Sequence, residues 1–160
     1  MTSWFRRPHE IRPSPEPEPA DSPATLLRSL DELISFVNRN AGRLPVESVV
    51  AARRVTDAVR DVIDTADHGT LDVYAAISVK RIVDDYLPTT LRTYLALEAE
   101  TVGQPRPSGA SPNESLQQQL NSLWEGAVDV RTAARSRDAD ALLSQGTFLH
   151  TKFTGSDLDL

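Results

Sequence analysis

Between residues 116 and 134 the apolar side chains keep one spacing. Leu116, Leu120, Leu123, Ala127, Val130 and Ala134 follow one another at steps of four, three, four, three and four. A strand alternates every second residue, so only an α-helix brings this set onto one face. The stripe covers under three heptads, too short for a free-standing coiled coil, and it needs neighbouring helices at a shallow crossing angle. The expected fold is therefore all-α, an antiparallel helical bundle of about five to six helices. The seam can be used within the chain or between two copies, so a homo-oligomer is one expected assembly.

The same period recurs upstream. Leu26, Leu30, Leu33 and Val37, widened by Leu27 and Ile34, define a first helix. Ser22 or Asp21 caps it, Pro23 fits its first turn, and Asn40-Ala41-Gly42 ends it. A second helix starts at Pro45 and aligns Ala52, Val55, Val59, Val62 and Ala66, ending at His68-Gly69. Its polar face carries Arg53, Arg54, Asp57, Arg60, Asp61 and Asp64, with Arg53–Asp57 and Arg60–Asp64 expected as pairs one turn apart.

A third helix, capped by Asp72, draws its apolar positions from Tyr74, Ile77, Ile82, Val83 and Tyr86. It meets Pro88, and an interior proline costs a helix about 3 kcal/mol. The pattern resumes at Leu91, Tyr94 and Leu95, which predicts a kink or tight restart at Tyr86-Leu87-Pro88. Thr89 and Thr90 can return their hydroxyls to the carbonyls such a kink leaves unpaired. After the seam helix, Ser136-Arg137-Asp138 is an interruption. Asp138 then caps a last helix through Leu142, Leu143, Leu149 and Phe153, weakened by Gly146.

Three domain-level segments follow. Residues 1–22 form an expected disordered Pro-rich arm, 23–154 the helical bundle with a loop at 101–113, and 155–160 a flexible acidic tail. Within the arm, Arg12 to Pro23 reads RPSPEPEPADSP, and alternating prolines hold such a chain extended. Ahead of it stands Trp4-Phe5-Arg6-Arg7. Two aromatics beside two arginines suit a membrane interface or a partner groove, so these four residues are the candidate tether.

Composition removes several functions. The net charge of −6, with arginines and aspartates interleaved, opposes nucleic acid as a partner. The absence of cysteine excludes disulfides and zinc–thiolate sites. His9, His68 and His150 have no second ligand at metal spacing, and near a helix end His68 suits the negative dipole, with Asp64 one turn back. No glycine-rich phosphate loop and no nucleophile–base spacing is present. The expected protein is thus soluble and cytoplasmic, without cofactor or metal, and not an enzyme. No apolar run approaches a membrane span or follows Arg6-Arg7 as a signal sequence requires. The alternative is a Mg-dependent phosphohydrolase using Asp57 and Asp61 with Asp84-Asp85, although the interleaved arginines make a solvated salt-bridged face the expected state.

One segment carries a resemblance. Asp85, Tyr86, Leu87, Pro88, Thr89, Thr90 and Leu91, followed by Tyr94 and Leu97-Glu98, resemble the YLPTTL-type core of the XpaC-like (bromo-chloro-indolyl phosphate hydrolysis) family. Asp138-Ala139-Asp140-Ala141-Leu142-Leu143 resembles the family's short Asp- and Leu-rich helix. The resemblance covers about residues 70–155 and implies a helical accessory protein. It implies a place in envelope or toxic-anion stress beside a TelA-like toxic-anion resistance protein as partner. Family members carry membrane-spanning helices ahead of this region. Here the Trp-Phe-Arg-Arg arm and a proline spacer stand in that place, a departure from the family. The aromatic and basic residues of the arm themselves give the second expectation, a peripheral scaffold on the inner face of the membrane.

Overall fold

The computed structural model describes residues 18–66, 70–107, 109–137 and 139–154. Trp4, Phe5, Arg6 and Arg7, the rest of the arm to residue 17, His9, His68, Asp138 and the tail 155–160 lie outside them. Six α-helices are present: α1 (Pro23–Asn40), α2 (Val46–Ile63), α3 (Val73–Arg81), α4 (Leu87–Leu95), α5 (Pro112–Ser136) and α6 (Ala139–Thr154). A π-helical turn, Ile82–Tyr86, joins α3 to α4 without a break, so the bundle consists of five rods. There is no β-strand among the described residues, and the fold is the expected all-α bundle.

Local chemistry sets most of the boundaries. The Ser22 hydroxyl accepts from the Thr25 amide, and Pro23 occupies the first turn of α1. A short 3-10 turn, Ala41–Arg43, follows, and Arg43 donates to the Leu95 carbonyl, closing the end of α4. Asp72 accepts the Tyr74 and Ala75 amides at the start of α3. A capping box starts α5: Ser111 accepts the Glu114 amide, and Glu114 accepts the Ser111 amide. These bonds hold the Glu114 carboxyl below its ordinary pKa. They also begin α5 at Pro112, inside the stretch expected as loop 101–113. Arg137, with φ 56°, ends α5 in the left-handed region.

Two expectations for α2 fail. The helix stops at Ile63, short of His68-Gly69: the Asp64 amide still reaches the Arg60 carbonyl, but the Thr65 and Ala66 amides tighten to bonds three residues back, on Val62 and Ile63. Nor do its arginines pair along the helix. Arg53 donates to Asn38 and Arg60 to Asp31, both on α1, where a neighbouring rod offers acceptors without bending the side chain over its own turn.

Those cross-links fix the topology. The Arg53–Asn38 and Arg60–Asp31 pairs make α1 and α2 antiparallel. Ser48 donates to Gln117 and Arg131 to Asp61, so α2 and α5 run parallel, and this is the most extensive helix pairing. Lys152 donates to Ser122, which sets α6 antiparallel to α5. Ser78 faces Gly146 and Tyr86 stacks on Phe153, so α3 and α6 are parallel. Successive rods therefore alternate in direction, while the pairs α2–α5 and α3–α6 bring distant segments side by side.

The core is continuous across the rods. All six residues of the seam in α5 are buried, so the stripe is consumed inside the chain. Leu120 and Leu123 are fully inaccessible, each stabilising the fold by roughly 2 kcal/mol through the surface it removes from water. Gly126 lets α6 approach, since a Cβ there would lie 2.6 Å from Leu149 Cδ2. Tyr94 donates to Asn113 at 2.7 Å, tying the end of α4 to the start of α5. Burial, with a smaller contribution from Glu47, raises the Tyr94 pKa, so the phenol keeps its proton for this bond.

Candidate functional site

Pro88 determines how the third rod is built. A proline here has no amide to give the carbonyl four residues back, and its ring collides with that carbonyl. The chain responds with one wide turn: the Leu87 amide reaches the Ile82 carbonyl, five residues back. The helix then continues through Pro88, which is buried. The expected role of the threonines is not what Thr89 does. Its hydroxyl donates to the Asp85 carboxylate at 3.3 Å, because the wide turn has already re-paired the backbone.

The wide turn also changes which side chain faces α6. Tyr74, Ser78 and Arg81 stand at steps of four and three along one stripe. An unbroken α-helix would bring Asp85 next onto it. One extra residue in the turn puts Tyr86 there instead and leaves Asp85 exposed. Tyr86 then stacks on Phe153, ring centroids 5.2 Å apart.

Between this stripe and α6 lies a cleft of about 290 Å³. Tyr74, Ile77, Leu142, Leu143 and Leu149 supply its apolar walls. Ile77, expected among the core positions, stands at the rim and is 42% exposed, because Ala75, Ala76 and Val79 take the inward positions. Gly146 keeps the floor open, since a Cβ there would meet Ser78 Oγ at 3.3 Å.

The polar groups of the cleft are unusual. Ser78 Oγ and Tyr86 Oη are the only buried side-chain polar atoms without a hydrogen-bond partner among the described residues. Both belong to this one cleft. An unpaired buried hydroxyl costs about 1–3 kcal/mol, so two at one place call for a cause. Arg81 and His150 also line the cleft, no carboxylate does, and Arg81 has no anionic partner among the described residues.

The outer face of α6 differs from the rest of the surface. Between Asp140 and Lys152 it carries no fixed charge. Leu143 is 49% and Phe148 52% exposed, with Lys152 Nζ lying 5.4 Å from the Phe148 ring centroid.

The remaining candidates fall elsewhere. Of the YLPTTL-type segment, Tyr86, Leu87, Pro88, Thr90, Leu91 and Tyr94 are buried, and only Asp85 and Thr89 reach the surface. The carboxylates weighed for Mg²⁺ are dispersed. Asp61 binds Arg131 at 3.0 Å and Arg135 at 3.6 Å, and Asp84 binds Lys80. Among the described residues, no group of three His, Cys, Asp or Glu side chains is placed to hold a metal ion. None of the described helices is long and apolar enough to cross a membrane. Sequence reasoning missed Ser78, Arg81 and Gly146. The available signal was the step from Tyr74 to Ser78 to Arg81, which reads as ordinary helix surface until the partner helix is known. Comparison with family models, with curated proteins and with solved structures finds no match for this chain.

Proposed function

We propose that this chain is a non-enzymatic helical interaction module, an accessory protein whose working surface is the outer face of α6. The observation that carries the reading is the uncharged run from Ala141 to Thr151 with Leu143 and Phe148 half exposed. Exposed helix faces elsewhere in the molecule carry charge. On α6 the outward positions include Leu143 and Phe148 among uncharged Ala141, Ser144, Thr147 and Thr151 and the imidazole of His150. An exposed aromatic in a patch without fixed charge is a feature of interface centres. The likeness of Tyr86–Leu91 to the XpaC-like core supports an accessory role in toxic-anion or envelope stress, with a TelA-like protein as the partner to test first.

Affinity capture from an extract of the source cells, comparing the intact chain with Phe148→Glu, tests this directly. The module reading expects a protein recovered in stoichiometric amount by the wild type and lost with the variant. Recovery of the same set of proteins by both chains, or of the chain alone, contradicts it.

A further inference from the structure

We propose that the cleft between α3 and α6 is a binding site for a small amphipathic carboxylate: an acyl or aryl acid whose apolar body fills the cleft and whose carboxylate meets Arg81. The proposal does not rest on the partner reading. Leu143 belongs both to the cleft wall and to the exposed face of α6, but Phe148 does not line the cleft, so Phe148→Glu separates the two.

Three observations converge on this ligand chemistry. The first is the pair of orphaned hydroxyls. Ser78 and Tyr86 are 2% and 4% exposed, each can donate one hydrogen bond, and neither has an acceptor among the described residues. Both oxygens are closed to water, so a ligand whose acceptor oxygens reach them as α3 and α6 part slightly relieves that cost, whereas a purely apolar ligand leaves it in place. The second is charge. In a chain of net charge −6, this cleft is lined by a guanidinium and an imidazole and by no acid. The nearby acids are engaged or turned away. Asp84 is paired with Lys80, and the π turn removes Asp85 from the stripe and seats Tyr86 there. Replacing an anion by a phenol at that position removes the group that would most oppose a bound carboxylate.

The third is shape and lining. Leu142, Leu149 and Ile77 offer apolar contact, and the volume equals about ten water-sized groups. That suits a short-chain or single-ring acid. Glycine at 146 keeps the Ser78 end open, so a larger side chain there closes the site from within α6.

The test uses the full chain with octanoate and 3-phenylpropionate as probes and octanol as the neutral control. Binding is followed by amide chemical shifts and by calorimetry. The expected result is saturable shifts confined to α3, the π turn and α6, with at least one acid bound about tenfold more tightly than octanol, as one charge-assisted hydrogen bond implies. Arg81→Gln, an exposed change that leaves the core intact, should abolish the preference for acid over alcohol. Gly146→Leu, checked for folding by circular dichroism, should block both acids. Which acid binds better distinguishes an acyl from an aryl ligand. The proposal is overturned if neither acid gives saturable shifts. It is overturned equally if octanol binds as tightly as both acids, or if Arg81→Gln retains the preference.

Discussion

The parallel pairs α2–α5 and α3–α6 are built alike but finished differently. Along α2–α5 the polar groups near the contact find partners: Ser48 with Gln117, Arg131 and Arg135 with Asp61. Along α3–α6 two hydroxyls are buried with none among the described residues, and a cleft lies between the helices. Both pairs satisfy the demand for apolar burial. Only the first also satisfies hydrogen bonding, and that difference separates a region serving stability from one open to a ligand.

The largest effects should appear where the comparison is most one-sided. Leu123→Ala in the closed seam should cost about 2–5 kcal/mol in urea unfolding, through lost burial and the cavity it leaves. Leu143→Ala on α6 should stay within about 0.5 kcal/mol of wild type. Similar costs for the two would mean that α6 is packed as tightly as the seam.

Gly126 is the hinge of the comparison, because it sets how closely α6 lies on α5. A branched side chain there meets Leu149, itself 1% exposed, and overpacking of this kind costs about 1–3 kcal/mol. Gly126→Val should therefore lower stability and speed amide exchange in α6 more than in α2. Equal acceleration in both helices contradicts the placement of Gly126 as the close contact between α5 and α6.

Smaller effects concern the polar contacts. Asp61→Asn should cost no more than about 1 kcal/mol, and the loss should shrink with added salt, since the Arg131 and Arg135 pairs are partly exposed. The α5 capping box should respond to acid. The folded-state pKa of Glu114 is depressed, so its contribution is complete above the ordinary carboxylate value and disappears as pH falls through the lower folded one. In Glu114→Gln this part of the acid sensitivity should be missing from a pH series of urea midpoints.

How much of this was legible in the sequence depends on which force decided each element. Apolar periodicity announced every rod, and Ser22 and Asp72 marked the starts of α1 and α3, because burial and capping are local in sequence. The end of α2 was misplaced because His68-Gly69 is a strong stop signal, whereas the earlier tightening of the backbone at Thr65 and Ala66 has no such mark in the sequence. Arg53 and Arg60 were assigned to their own helix because partners on α1 are invisible until the rods are assembled. Pro88 showed that the third rod must be disturbed but not how. The choice of a wide turn over a break moved Tyr86 into the cleft, so the site depended on a backbone decision that periodicity does not record.

The central claim is that α3–α6 buries a hydroxyl without a partner while the α4–α5 junction buries one with a partner. Paired urea unfolding of Tyr86→Phe and Tyr94→Phe, in the absence of added ligand, tests it most directly. Tyr94→Phe should lose about 1 kcal/mol with its bond to Asn113, whereas Tyr86→Phe should be neutral or more stable than wild type. A loss in Tyr86→Phe equal to that in Tyr94→Phe would contradict the account.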